Sequence, residues 1–336
     1  MSQLEIVMYV GFILSAYSVI GNDVIQTLGT FLSSNEHRKW WVLWIFAASL
    51  LTIVLLYGWY VNGGDPTYGR LIGDPPVHSL DNPKYATPVD KEGFGWAYLL
   101  PPIVLLIITR FGIPVSTSFL ILTFFHPKGL YDMVVKSMSG YLVAFGAAIV
   151  VYLFIAKKFE KRFIENPPSA KQKRVWTVLQ WFSTGFLWSQ WLIQDFANIY
   201  VYLPREVSPT TMAFTLVVFL VLLGYIFYSK GGAIQGIVKA KSNTMDLRSA
   251  TIIDFCFAII LLFFKELNNV PMSTTWVFLG LLAGREIAVK YFAYGNVPNN
   301  TLKDLGKDLG KVFFGLAISI GLVFLISFLT GVPMSF

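Results

Sequence analysis

Two short polar sets stand inside otherwise apolar sequence, NDVIQ at residues 22 to 26 and QDFAN at residues 194 to 198. Each places a carboxamide, a carboxylate and a second carboxamide at positions i, i+1 and i+4: Asn22, Asp23 and Gln26 in the first, Gln194, Asp195 and Asn198 in the second. A carboxylate at the centre of a bilayer costs roughly 2.5–3.5 kcal/mol on insertion scales, so a residue like Asp23 marks function by default. Hard oxygen donors in a dry pocket suit a small cation such as Na⁺, and nothing in either set is soft enough for a transition metal. On a helix the i and i+4 groups share a face while the Asp points about 100° away. A break in the helix at each motif would let all three groups converge. The competing reading pairs Asp23 and Asp195 with the intramembrane bases Arg110 or Arg285 and leaves the amides to bond helix to helix. Recurrence of the same set in both halves of the chain favours the cation site.

A second pair of motifs is PVSTS at 114 to 118 and PMSTT at 271 to 275. A Pro followed by consecutive hydroxyl residues and then an apolar run reads as a turn, with Ser116 and Ser273 near the N-caps of new helices. Backbone N–H groups at a helix start, together with the positive end of its dipole, favour anions. If the two tips meet, Ser116, Thr117, Ser118, Ser273, Thr274 and Thr275 surround one spot with neutral donors, an arrangement that suits a tetrahedral oxyanion. Neither tip contains Lys or Arg, so the anion is not held by a permanent charge, although Arg110 lies close by.

The elements that must position these residues are membrane helices. The chain has 336 residues, of which 55% are hydrophobic and 13% charged, with a mean hydropathy of +0.61. Soluble domains carry about 25% charged residues, so the expected fold class is an all-α integral membrane protein. Spans are expected at about 4 to 33, 40 to 61, 131 to 156, 175 to 203, 208 to 228 and 311 to 331, since about 20 helical residues cross the hydrocarbon core. Residues 95 to 126 and 249 to 289 are interrupted at the two hydroxyl motifs and read as helical hairpins, with a full span plus a half-helix as the alternative. The segment NTLKDLGKDLGK, from Asn300, reads as an interfacial helix starting near Thr301, with Leu302, Leu305 and Leu309 on one face. The first apolar run reads as a span and not a leader, because it contains Glu5 and ends in a polar motif.

Basic residues report orientation. With the N-terminus outside, 17 Lys and Arg fall in cytoplasmic loops against five outside, the latter being Arg70, Lys84, Lys91, Lys128 and Arg205. The positive-inside rule therefore puts both termini outside a multi-pass plasma membrane protein. The net charge of +7 forms no continuous stripe, which argues against nucleic acid. Cys256 stands alone, so no intramolecular disulfide can form, and His37, His78 and His126 show no ligand spacing. No cofactor is expected.

Residues 157 to 174 divide the chain into a first membrane repeat, 1–156, and a second, 175–336. Each half holds a polar-interrupted span, a plain span, a hairpin with a Pro-x-Ser-Thr tip and a final span. The odd number of crossings per half requires the second copy to be inverted. Two inverted-topology repeats with broken helices and re-entrant hairpins are the signature of secondary transporters, with the site near the midplane where the copies meet.

On these residues the sequence resembles the inorganic phosphate transporter family, PiT, whose signature is a G-A-N-D-V-A-N-A-like stretch in each half followed by P-x-S-T-T. Asn22-Asp23-Val24 and Gly29-Thr30 match the first copy, Asp195, Ala197 and Asn198 the second, PMSTT matches fully, and PVSTS carries Ser118 where Thr is usual. Gln26 and Gln194 replace the usual Asn, and Phe119 and Trp276 stand where His often follows. The resemblance implies a homodimeric, cation-coupled importer. Asn22, Asp23, Gln26, Gln194, Asp195 and Asn198 would hold Na⁺, or take part in H⁺ coupling, and Ser116, Thr117, Ser118, Ser273, Thr274 and Thr275 would hold inorganic phosphate. Some relatives of this family carry sulfate or thiosulfate. An uncoupled anion channel and a membrane enzyme acting on lipid phosphate are the competing classes. The enzyme is disfavoured because hydrolysis needs a His, metal cluster or activated nucleophile inside the membrane.

Overall fold

The computed structural model describes residues 2–73, 79, 83–111, 113, 115–153, 169–229, 247–294 and 297–331, without the side chains of residues 25, 26, 249 and 292–294. Among these the protein is helical and contains no strand. Ten α-helices follow in order: α1 Gln3–Ser34, α2 Trp40–Val61, α3 Leu100–Arg110, α4 Thr117–Phe125, α5 Leu130–Val151, α6 Ala170–Tyr200, α7 Pro209–Tyr228, α8 Leu247–Leu267, α9 Thr274–Tyr294 and α10 Asn299–Thr330.

Local sequence fixes several of the boundaries. Ser2 and Glu5 form a capping box at the start of α1, and Ser169 and Gln172 form another at the start of α6. The last five residues of the expected linker, 170–174, therefore already belong to α6, and most of the remaining linker lies outside the described residues. Ser208 caps α7 ahead of Pro209 at the first helical position. Gly331 ends α10 with φ 70°, the left-handed conformation that glycine adopts without steric cost.

Among the described residues, five helices are long and apolar enough to cross a membrane, at Gln3–Val24, Trp40–Val61, Pro127–Val151, Pro209–Tyr228 and Asn299–Thr330. The sixth expected span, α6, carries Gln180, Gln190, Gln194, Asp195 and Asn198 and fails on composition. It does not need to be apolar, because every residue from Gln190 to Tyr200 is buried in the protein. The amphipathic segment at 299–311 is not a separate interfacial helix. It is continuous with the last span, since no proline or capping residue interrupts α10 there.

Equivalent helices of the two halves run antiparallel to each other. Ser15 Oγ donates to Asn198 O at 2.7 Å, and Asn35 Nδ2 donates to Gln180 Oε1 at 3.0 Å, so α1 ascends as α6 descends. The indoles repeat the relation for α2 and α7: Trp44 Nε1 reaches Leu220 O at 3.1 Å and Trp59 Nε1 reaches Val207 O at 2.7 Å. Indole N–H groups at this depth must be satisfied within the protein, so these bonds fix register as well as direction.

The two interrupted regions differ. The arm into the first tip runs over Trp96–Arg110, a 3-10 turn at Trp96–Leu99 continuing into the 11 residues of α3, and α4 returns over only 9 residues, roughly 14 Å or half the hydrocarbon thickness, lengths that fit a re-entrant pair. Helices α8 and α9 have 21 residues each and extend roughly 32 Å, so the second hairpin has full-length arms. The α9 arm packs directly on α5. A Cβ at Gly280 would land on the Tyr141 carbonyl and one at Gly284 on the Phe145 carbonyl. Glycines four residues apart are what allow two helix backbones to approach this closely.

Candidate functional site

The helix starts at the two tips form as their residues require. Ser116 Oγ accepts from Phe119 N at 3.2 Å and caps α4, and Ser273 Oγ accepts from Trp276 N at 3.3 Å and caps α9. The tips meet. Ser118 Oγ of the first donates to Met272 O of the second at 3.1 Å, and Thr275 Oγ1 of the second donates to Val115 O of the first at 3.3 Å. Helix α5 holds the second tip from behind: Ser273 N donates to Ser137 Oγ at 2.8 Å, while Lys136 Nζ donates to Asn268 Oδ1, Val270 O and Asn268 O at 2.7, 2.8 and 3.0 Å. Pro114 lies outside the described residues.

Helices α1 and α6 bring their carboxylates to the same place. Both helices pass through NDVIQ and QDFAN without the expected break, and within each motif one amide reaches its carboxylate, Asn22 to Asp23 and Asn198 to Asp195, while the Gln194 amide turns to Leu261. The wider convergence is made between helices. Thr117 Oγ1 lies 2.9 Å from Asp23 Oδ2 and 3.5 Å from Asp195 Oδ1 and receives Asn198 Nδ2 at 3.0 Å. Asn198 Nδ2 also donates to Asp195 Oδ1 at 2.5 Å, and Asn22 Nδ2 donates to Asp23 Oδ1 at 2.6 Å and to Val115 O at 3.2 Å. One hydroxyl at the start of α4 thus joins the acids of both halves.

Every one of these side chains is sealed from solvent, none exceeding 4% exposure. Asp23 and Asp195 make no ion pair among the described residues, and Arg110 is exposed at the end of α3, which removes that pairing. The cation whose charge reaches Asp195 is Arg70, from the segment after α2. Three buried oxygens in this cluster have no donor: Asp195 Oδ2, Asn198 Oδ1 and Gln194 Oε1. Unpartnered buried acceptors are costly, and a small cation satisfies several at once. Gln194 stands somewhat apart, its amide nitrogen donating to Leu261 O on α8 at 3.3 Å. The side chain of Gln26 lies outside the described residues.

Sequence reasoning missed a buried carboxylate within the membrane helices. Asp254 of α8 is 2% exposed and accepts from Thr30 Oγ1 of α1 at 2.7 Å and Thr184 Oγ1 of α6 at 2.6 Å. The signal was available: a lone Asp in the apolar run IIDFC meets the same criterion as Asp23. Its bonds tie three helices together, so Asp254→Leu is expected to destabilise the detergent-purified protein by about 1 kcal/mol or more, while Asp254→Asn, which keeps one acceptor, loses less. Thermal unfolding of the two variants measures the difference, and equal midpoints would remove the tie.

Fold and site together define a polytopic helical membrane protein with a buried polar cluster where antiparallel helices of the two halves meet. No protein-family model matches the chain, and no curated protein matches it. A solved structure described as "The sodium-dependent phosphate transporter" matches with a TM-score of 0.59 and 18% identity, covering 98% of this chain and 100% of that one. The likeness establishes the fold: this chain shares the architecture of that structure over nearly its whole length.

Proposed function

We propose that this protein is a secondary transporter that carries inorganic phosphate, or a tetrahedral oxyanion of the same kind, into the cell by alternating access, with Na⁺ as the coupling ion. The observation that carries this reading is the Thr117 hydroxyl placed between Asp23 and Asp195 at the capped start of α4. It sets an anion-favouring helix end against a pair of cation-favouring acids inside one buried polar cluster. The overall likeness to a sodium-dependent phosphate transporter supports the choice of substrate and ion.

The electrostatics give an order of events. Moving a divalent anion into a negative-inside cell costs about 4.6 kcal/mol at 100 mV, so at least two monovalent cations are needed to cancel it. Bare carboxylates at 23 and 195 repel an anion; cations bound between them reverse the local field. The helix starts at Thr117 and Thr274 then present N–H and hydroxyl donors to the oxyanion. Coupling follows because the anion has no stable place until the cations are in. Under the positive-inside orientation both termini lie outside the plasma membrane, and the assembly is a homodimer.

The test is uptake of radiolabelled phosphate by proteoliposomes under a sodium gradient, a proton gradient or none, with arsenate and sulfate as competitors. Uptake is expected only with the sodium gradient, with arsenate the stronger competitor. Rapid flux without any cation gradient would identify an anion channel, and displacement by sulfate but not arsenate would identify a sulfate permease. Within the site, Thr274→Val deletes one hydroxyl, worth about 1 kcal/mol, and is expected to raise the apparent substrate constant about fivefold. An unchanged constant would take the second tip out of the pocket.

A further inference from the structure

Two arginines in the segments after α2 and α6 are buried, and their environments are opposite. Arg205 is 3% exposed and fully occupied: its nitrogens donate to Tyr85 O, Tyr200 O, Leu203 O, Ala86 O and Val201 O at 2.9–3.2 Å. It is a clamp that closes the turn after α6. Arg70 is 1% exposed, and only its Nε is engaged, with Ile193 O at 3.0 Å. Its Nη1 is buried with no acceptor.

The local fold aims Arg70 inward. Asp65 accepts from Thr67 N at 2.8 Å, Thr67 Oγ1 at 2.6 Å and Gly69 N at 2.7 Å, which curls the chain after α2. Tyr68 at φ 57° and Gly69 at φ 76° continue the curl, with Gly69 beside Asn269 at the second tip. Arg70 is thereby delivered onto the backbone of α6, two residues before Asp195. Its charge and that of Asp195 act on each other without an ion-pair contact, and Glu266 adds a weaker field. Burial pulls the guanidinium down to about 10, which leaves it charged at neutral pH.

The unpartnered groups of the pocket therefore sort by type. The orphaned oxygens of Gln194, Asp195 and Asn198 call for a cation, and the orphaned N–H of Arg70 calls for an anion. A guanidinium with its fork unused is matched to the paired oxygens of an oxyanion. We propose that Arg70 is a substrate-binding residue, placing a positive charge against the oxyanion from the side of the pocket where the segment after α2 folds in. The proposal rests on the oxyanion-transport reading above. Because this cation comes from a loop and not from the tips, it draws the anion in without being built into either helix start.

The experiment compares wild type, Arg70→Gln and Arg70→Lys in proteoliposomes, reading phosphate uptake under a sodium gradient, alongside the thermal shift produced by Na⁺ alone. Arg70→Gln is expected to raise the apparent phosphate constant by about tenfold or more, and Arg70→Lys, a point charge without the fork, by about threefold, with the Na⁺ shift kept in both. A phosphate constant within about twofold of wild type in Arg70→Gln, where a lost charge-assisted bond predicts far more, overturns the proposal. If Arg70→Gln does not accumulate, Arg70→Lys decides, a raised constant supporting the proposal and a wild-type constant overturning it. Wild type that neither takes up nor is stabilised by phosphate, sulfate or arsenate removes the transport reading itself, an outcome distinct from a silent Arg70.

Discussion

Asp23→Asn and Asp195→Asn are each expected to cut sodium-driven phosphate uptake by more than about 100-fold, because stranding a buried charge without its partner costs about 3–5 kcal/mol. Each variant keeps the size of the side chain and one oxygen for Thr117, so the pocket closes as before. What disappears is one of two negative charges that a cation needs in a water-free site. Stability should move the other way. In the absence of cations the two acids repel across Thr117, so either variant should unfold at a temperature equal to or above that of wild type in sodium-free buffer. Opposite signs for uptake and stability separate a cation site from a merely structural pair. Wild-type sodium dependence in both variants would end the proposal that these acids hold the coupling ion.

Gly280→Ala and Gly284→Ala are expected to destabilise the protein severely, by about 1–3 kcal/mol each and by more together, since the added methyl meets backbone and not a movable side chain. The obstacles are the carbonyls of Tyr141 and Phe145 on α5. For either methyl to fit, α9 must back away from α5, and the contacts that hold the second tip, Ser137 with Ser273 and Lys136 with Val270, stretch in consequence. Loss of folded protein in detergent and loss of phosphate affinity should therefore appear together. Gly306→Ala is the control, because nothing stands where its Cβ would go. Normal thermal unfolding of the double variant would show that α5 and α9 tolerate separation.

The parts of the site readable in the sequence were those whose burial in lipid is expensive. Asp23 and Asp195 declared themselves because hydrocarbon rejects carboxylates, and the two Ser-Thr runs because a Pro and a cap precede an apolar stretch. Their meeting was not readable from spacing, since it depends on α1 and α6 running antiparallel; a helix break seemed necessary only while each motif was considered alone. Arg70 was counted as a loop charge reporting orientation. Nothing in GGDPTYGR shows that Asp65 curls the chain and turns the guanidinium into the protein. Asp254 and the Gly280/Gly284 pair carry legible signals, a lone acid in an apolar run and a four-residue glycine spacing. The continuity of α10 was obscured because its amphipathic start and its apolar end suggest different surroundings, although no residue between them stops a helix.

The antiparallel pairing of α1 with α6 and of α2 with α7 has a thermodynamic consequence. In a carrier of the kind proposed above, helices paired in opposite directions present related chemistry to both sides of the bilayer, even though the two hairpins differ in length. Such a machine has little built-in preference for direction. On the sodium-coupled transport proposed above, net flow would be dictated by the combined gradients of cation and anion, and the carrier would release its cargo to the exterior when the sodium gradient collapses.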